Sequence, residues 1–194
     1  ARLETVLAGH PLGGIVGIGH TRWATHGAPN EANAHPHATS RVALVHNGII
    51  ENFAELRDEL RALGHAFESE TDTEAVAHLV THHLESGMSP ERAVAATLKR
   101  LHGAFAFAMV FAGHHDLMIG ARRGSALAVG YGDGEMFLGS DALALAPLTR
   151  RISYLEEGDW VVIRRSGAEV FDAEDRPVQR AVRETAVSGA FIGK

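Results

Sequence analysis

Apolar residues recur along this chain with two different periods, and the change of period divides it. Phe53, Leu56, Leu60 and Leu63 fall on one helical face, with Gly64 placed to end the helix. Thr71-x-x-Glu74 has the form of a capping box ahead of Val76, Leu79, Val80 and Leu84, and Gly87 suits the terminator. Ser89-Pro90 predicts a third helix carrying Val94, Leu98 and Leu101, closed near Gly103. Beyond Gly103 the period drops to two. Phe105, Phe107, Met109 and Phe111 alternate with alanine or valine, which puts four large side chains on one face of a strand.

Two earlier apolar runs also read as strands. Ile15, Val16 and Ile18 precede a polar cluster, so residues 14–25 predict a strand that runs into a site. Residues 42–45 predict a strand followed by a turn at Asn47-Gly48. Further strands are expected at 117–121, 127–132, 135–139, 151–156 and 160–164, with Asp133-Gly134 and Gly158-Asp159 as hairpin turns. Helices inserted as a block among antiparallel hairpins give an α+β class rather than an alternating βαβ one. There is no internal repeat, and periodicity is lost after Arg180.

Composition narrows the function classes. The 194 residues fit one domain with a sizeable core, and 45% hydrophobic with 22% charged residues is an ordinary globular balance. Net charge is −6 and the basic residues are scattered, so a nucleic-acid partner is not expected. The longest apolar run, 104–112, is too short to span a bilayer, and no n-region and h-region open the chain. No membrane partner is expected either. Zero cysteines remove disulfides, thiolate metal sites and any resident thiol nucleophile, a composition compatible with the cytoplasm.

Three segments are dense in polar groups where strands end or helices begin: residues 20–27, His46-Asn47-Gly48, and residues 70–74. Arg22 is either a surface ion-pair residue or a fork that grips a carboxylate through two parallel hydrogen bonds. Asp72 sits in the first turn of a helix, where the macrodipole favours a carboxylate without any function. Facing one pocket, the two would recognise both ends of an amino acid's zwitterion. Asn47-Gly48 is either a type I′ turn or an oxyanion hole made of the Asn47 amide and the Gly48 N–H. The following residues read as helix entry rather than a returning strand, which weakens the turn. Among 13 histidines, His78 and His82 are one helical turn apart and could share an ion. No HExxH pattern accompanies them, so solvated or hydrogen-bonded histidines and no metal are expected.

The strings GIGHTRWATHGAPNEANAHPH, LVHNGIIEN and SETDTEAVAHL resemble the glutaminase domain of glutamine–fructose-6-phosphate aminotransferases, the glucosamine-6-phosphate synthases. The later stretches ARRGSALAVGYGDGEMFLGSDALAL and LTRRISYLEEGDW are similar as well, in matching order. The resemblance implies an N-terminal-nucleophile hydrolase of class II amidotransferase type, a four-layer αββα sandwich. It implies that Arg22 binds the α-carboxylate of L-glutamine and Asp72 its α-ammonium group. Trp23 would guard the ammonia passage, Thr25 and His26 would line the glutamine pocket, and Asn47 and Gly48 would form the oxyanion hole. No metal or organic cofactor is implied.

One departure matters. The family's nucleophile is an N-terminal cysteine whose own α-amino group, titrating near ~7.7–8.0 when unperturbed, serves as general base. This sequence has no cysteine and no Tyr-Arg-Gly-Tyr-Asp-Ser loop. Residues 1–180 are therefore expected to be a glutaminase domain lacking its nucleophile segment. Residues 181–194 are expected to begin a linker towards a sugar-phosphate isomerase domain of the same full-length chain, through which homo-oligomers form. The expected reaction of the whole is release of ammonia from L-glutamine and its transfer to fructose-6-phosphate in amino-sugar biosynthesis. The alternatives are a glutaminase domain with another acceptor, or a non-catalytic glutamine-binding module.

Overall fold

The computed structural model describes residues 2–11, 13–21, 27–28 and 30–185. In chain order the elements are α1 (Arg2–Gly9), β1 (His37–Ala38), β2 (Val42–Ile50), α2 (Phe53–Ala62), α3 (Asp72–Glu85), α4 (Pro90–Leu98), β3 (Gly103–Phe111) and β4 (Met118–Arg123). They continue with β5 (Ala128–Tyr131), β6 (Met136–Gly139), α5 (Ala142–Leu145), β7 (Arg151–Tyr154), β8 (Trp160–Arg164), β9 (Gly167–Phe171), β10 (Pro177–Val178) and β11 (Arg183–Glu184). Two antiparallel sheets result, one of order β1-β2-β3-β4-β8-β9-β10 and one of order β11-β7-β5-β6.

Strand alternation explains the layering. Phe105, Phe107, Met109 and Phe111 of β3 join Leu44, Ile119, Trp160 and Val162 in one core beneath α2, α3 and α4. The intervening positions turn the other way. Ala106, Val161 and Ile163 pack with Leu127 and Val129 between the two sheets. Ala128 and Ile152 face outward again, onto Ala142 and Leu145 of α5. The layers thus run helix block, seven-stranded sheet, four-stranded sheet, short helix, the αββα order that the resemblance implies. Gly120 of β4 lies where the sheets meet, and an added Cβ would fall 2.6 Å from a Leu138 methyl and 3.2 Å from a Val161 methyl.

Several local expectations are corrected. Residues 13–21 form no strand; Ile15 and Val16 are exposed and find no ladder partner. β2 does not stop before Asn47-Gly48 but pairs with β3 through Ile50, so these residues are mid-strand rather than a turn. Leu63 lies beyond α2 and is exposed, because the buried stripe ends at Leu60. Thr71 is the N-cap of α3 without a side-chain capping bond. Ser89 does cap α4, its side chain accepting from Arg92 N–H. Asp133-Gly134 joins the β5–β6 hairpin as expected. Gly158-Asp159 instead carries the chain from β7 in one sheet to β8 in the other. Asp159 is held there by Arg180, whose Nε and Nη2 donate to its two oxygens at 2.7 and 2.8 Å. Beyond Arg180, β11 pairs with β7 despite the lost periodicity.

Gly120→Val should cost about 1–3 kcal/mol of stability in chemical denaturation, because a branched side chain there must separate the sheets. Gly120→Ala should cost less, since the nearest atom is a Leu138 methyl that can rotate away. An unchanged denaturation midpoint for the valine variant would show that the sheets meet more loosely than described.

Candidate functional site

The alternation that builds the core also makes a cavity. Asn47 pairs with Ala106 and Val45 with Ala108 across the β2–β3 ladder. The alanines of β3 are short where its phenylalanines are long, so the inter-sheet side is left partly empty. A cavity of about 500 Å³ opens there, lined by residues 17–21, Val45, His46, Asn47, the 106–108 stretch of β3 and residues 138–140. A larger one of about 690 Å³ lies by residues 115–118 and 133–137. The first is selected because His20, Thr21, His46 and Asn47, from two of the polar segments marked in the sequence, line it.

Asn47 is exposed on the cavity wall, and its Oδ1 accepts from the His20 ring nitrogen Nε2 at 2.8 Å. Gly48 has φ +124°, and a Cβ added there would lie 2.1 Å from the Ala104 carbonyl oxygen. Opposite, Gly103 has φ +107°, and its Cβ would lie 2.3 Å from the Ile49 carbonyl oxygen. The two strands therefore approach too closely for any side chain at either position, and only glycine adopts both dihedrals without strain.

Asp72 opens α3, which packs on β2. Its Oδ2 accepts from Ile50 N–H at 2.8 Å and its Oδ1 from Thr73 N–H at 3.0 Å. The carboxylate is thus tied to β2 two residues past Gly48. His46 lies between, with Nδ1 3.0 Å from Thr73 Oγ1 and 3.9 Å from Asp72 Oδ2, and its ring 4.8 Å from that of Phe107. Asp72 itself is only 3% exposed and is not among the cavity's lining residues. The structure thus brings Asn47, Gly48 and Asp72 to one end of β2, with Asp72 behind His46. Arg22, Trp23, Thr25 and His26 lie outside the described residues.

The loop before α3 is fixed by Glu74 instead of a capping box. Glu74 accepts from Glu68 N–H at 2.7 Å, Ser69 N–H at 2.8 Å and Ser69 Oγ at 2.6 Å, so its carboxylate never reaches back to Thr71 N–H. Burial raises its pKa, but hydrogen bonds from His78, the Glu68 and Ser69 amides and the Ser69 hydroxyl outweigh burial and hold it down to about 2. Asn33 is the residue that sequence reasoning missed. Buried to 1% exposure, it donates through Nδ2 to Glu70 Oε2 at 3.1 Å and accepts from Glu70 N–H at 2.9 Å. It thereby docks residues 27–28 and 30–33 against the α3 entry. An asparagine in a polar stretch without periodicity gives no burial signal. His37, which the sequence offers only as one of several clustered histidines, is buried against the same loop, its Nε2 standing 3.0 Å from Thr71 Oγ1.

Among the described residues no group of three or more His, Cys, Asp or Glu side chains is placed to hold a metal ion. His78 Nδ1 faces His65 Nδ1 at 3.3 Å, and burial together with His78 pushes the His65 imidazole below its usual range. No helix among the described residues is long and apolar enough to cross a membrane.

A family model described as a glutamine amidotransferase domain matches residues 20–147. The chain is 62% identical over 192 residues to the glutamine–fructose-6-phosphate aminotransferase (isomerizing) of Brucella suis, covering 99% of this chain and 32% of that protein. It is 63% identical to the protein of the same name from Zymomonas mobilis, with 99% and 32% covered. The chain thus spans about a third of the length of the curated relatives it matches. Among solved structures, the glutamine phosphoribosylpyrophosphate amidotransferase of B. subtilis, complexed with ADP and GMP, superimposes with a TM-score of 0.63. It is 26% identical, over 79% of this chain and 34% of that one.

Glu74→Gln should lower stability at pH 7 by about 1.5–3 kcal/mol, the worth of hydrogen bonds to a charged group. With the carboxyl held at about 2 against an ordinary 4.5, the wild-type advantage is full above pH 4.5 and fades as pH falls towards 2. Melting both proteins across this range should give curves that converge in acid. A constant gap between them would mean that Glu74 acts by shape and not by charge.

Proposed function

Because the chain belongs to the glutamine amidotransferase domain family, we propose that it is the glutaminase part of a glutamine–fructose-6-phosphate aminotransferase (isomerising). In this reading the full-length protein hydrolyses L-glutamine to glutamate and passes the ammonia to fructose-6-phosphate, giving glucosamine-6-phosphate. The identity with the Brucella suis and Zymomonas mobilis proteins supports the acceptor. Asn47 on the wall of the inter-sheet cavity, with Gly48 next to it in β2 and Asp72 tied to the same end of the strand behind His46, supports the hydrolytic half.

The chemistry runs on charge that appears only transiently. A cysteine thiolate, supplied from outside these 194 residues, attacks the side-chain carbamoyl carbon of glutamine. The carbonyl becomes a tetrahedral oxyanion, which the Asn47 Nδ2 and the Gly48 N–H stabilise as preorganised donors. Collapse expels ammonia, which carries the proton released by the thiol, and leaves a γ-glutamyl thioester that water resolves to glutamate. Arg22 pairs with the substrate's α-carboxylate, while Thr25 and His26 line the pocket and Trp23 guards the ammonia passage. Asp72 takes the α-ammonium group. Its oxygens already accept from β2 and α3, which holds the carboxylate in place, and Oδ2, with one acceptor bond to Ile50 N–H, keeps a further lone pair. A sugar-phosphate isomerase domain in the rest of the full-length protein, self-association through it, and a cytoplasmic location belong to the same proposal.

The 194-residue chain alone should release no ammonia from glutamine, whereas the full-length protein should do so and form glucosamine-6-phosphate when fructose-6-phosphate is supplied. Turnover by the isolated chain above a heat-killed control would contradict the assignment of the nucleophile. In the full-length protein Asn47→Ala should lower kcat by roughly 10²–10³ with little change in KM for glutamine. Asn47→Asp should be at least as slow, because it replaces a donor by a negative charge. Near-normal turnover by the aspartate variant would remove Asn47 from the oxyanion hole.

A further inference from the structure

We propose that His20 is a positioning residue for glutamine hydrolysis, which holds the Asn47 amide with its nitrogen turned towards the reacting carbonyl. The inference rests on the reading of Asn47 as an oxyanion donor and adds what fixes that donor. A primary amide has two ends of nearly the same shape and opposite hydrogen-bonding character. Rotated by half a turn about its last torsion, Asn47 would aim an oxygen at the developing negative charge, and stabilisation would become repulsion. That torsion is intrinsically broad and roughly two-fold, and the exposed Asn47 side chain is not locked by packing. A specific partner has to set it.

His20 is that partner. Its Nε2 lies 2.8 Å from Asn47 Oδ1, although the residues are 27 apart in sequence. With the ring proton on Nε2 the imidazole donates there, so the oxygen is taken and the Nδ2 hydrogens are left for the cavity. The ring is braced in turn. It sits 4.3 Å from the ring of His35, which sits 5.1 Å from that of His37. His37 reaches Thr71 Oγ1 at the N-cap of α3, next to Asp72. A row of imidazoles therefore sets the oxyanion donor relative to the helix end that carries the ammonium-binding carboxylate. His20 acts through Asn47 and not on the substrate.

The test is steady-state glutamine hydrolysis by the full-length protein carrying His20→Phe, His20→Gln, Asn47→Ala and the His20→Phe/Asn47→Ala double substitution, with melting curves for each. His20→Phe should lower kcat about tenfold and leave KM for glutamine within about twofold. His20→Gln keeps an N–H donor and should recover most of that loss. In the Asn47→Ala background His20→Phe should cost nothing further, since the group it positions is gone. An equal cost in both backgrounds, or a folded glutamine variant as slow as the phenylalanine one, would overturn the role of His20 while leaving Asn47 in the oxyanion hole. If Asn47→Ala alone leaves kcat unchanged, the reading of Asn47 falls and takes this one with it. Should the phenylalanine variant melt early, the glutamine variant still decides by its kcat.

Discussion

The hydrogen bond from Ile50 N–H to the Asp72 carboxylate joins the two elements on which everything at this site depends. One end belongs to a strand whose next residues towards the N-terminus are Ile49, Gly48 and Asn47; the other opens a helix most of whose residues are buried. A charged acceptor on a buried amide is stronger than a neutral one and costly to leave unmade. The register of β2 and the position of α3 are therefore coupled. Neither can shift without the other, so groups from distant parts of the sequence keep fixed spacing. The bonds around Glu74 and Asn33 extend the same arrangement outward, securing the loop before α3 together with Ala28 and Asn33.

The cavity follows from side-chain size. A strand that alternates phenylalanine with alanine delivers bulk to the helices and leaves the inter-sheet side open, while Gly120 lets the second sheet lean in close by. Packing and site thus draw on the same alternation. Close packing in one core and free volume beside Asn47 are two faces of β3.

This division also explains what could be read from the sequence. The period-two pattern of β3, the buried stripes of α2 and α3, and the Asp133-Gly134 hairpin are local, and local sequence announces them. Residues 14–25 look equally apolar at their start, yet Ile15 and Val16 have no ladder to join, and a strand needs a partner that no local pattern reveals. Asn47-Gly48 resembles a turn because the dipeptide usually is one, but nine residues of pairing with β3 override it. At the site, the sequence marked Asn47, Gly48 and Asp72 through their polar setting and through resemblance. Asn33, His37 and the contact of His20 with Asn47 arise from long-range docking of polar side chains, and polar residues in loops carry no periodic mark of burial.

Gly48 and Gly103 face each other's strand so closely that an atom added to either meets a backbone carbonyl oxygen first. A clash with a side chain can be relieved by trimming the neighbour; a clash with a carbonyl cannot. Replacement at either position should therefore have no suppressor among substitutions at surrounding positions. In the space of sequences reachable one exchange at a time, this crossing of β2 and β3 is a fixed point, around which the rest of the domain is free to drift.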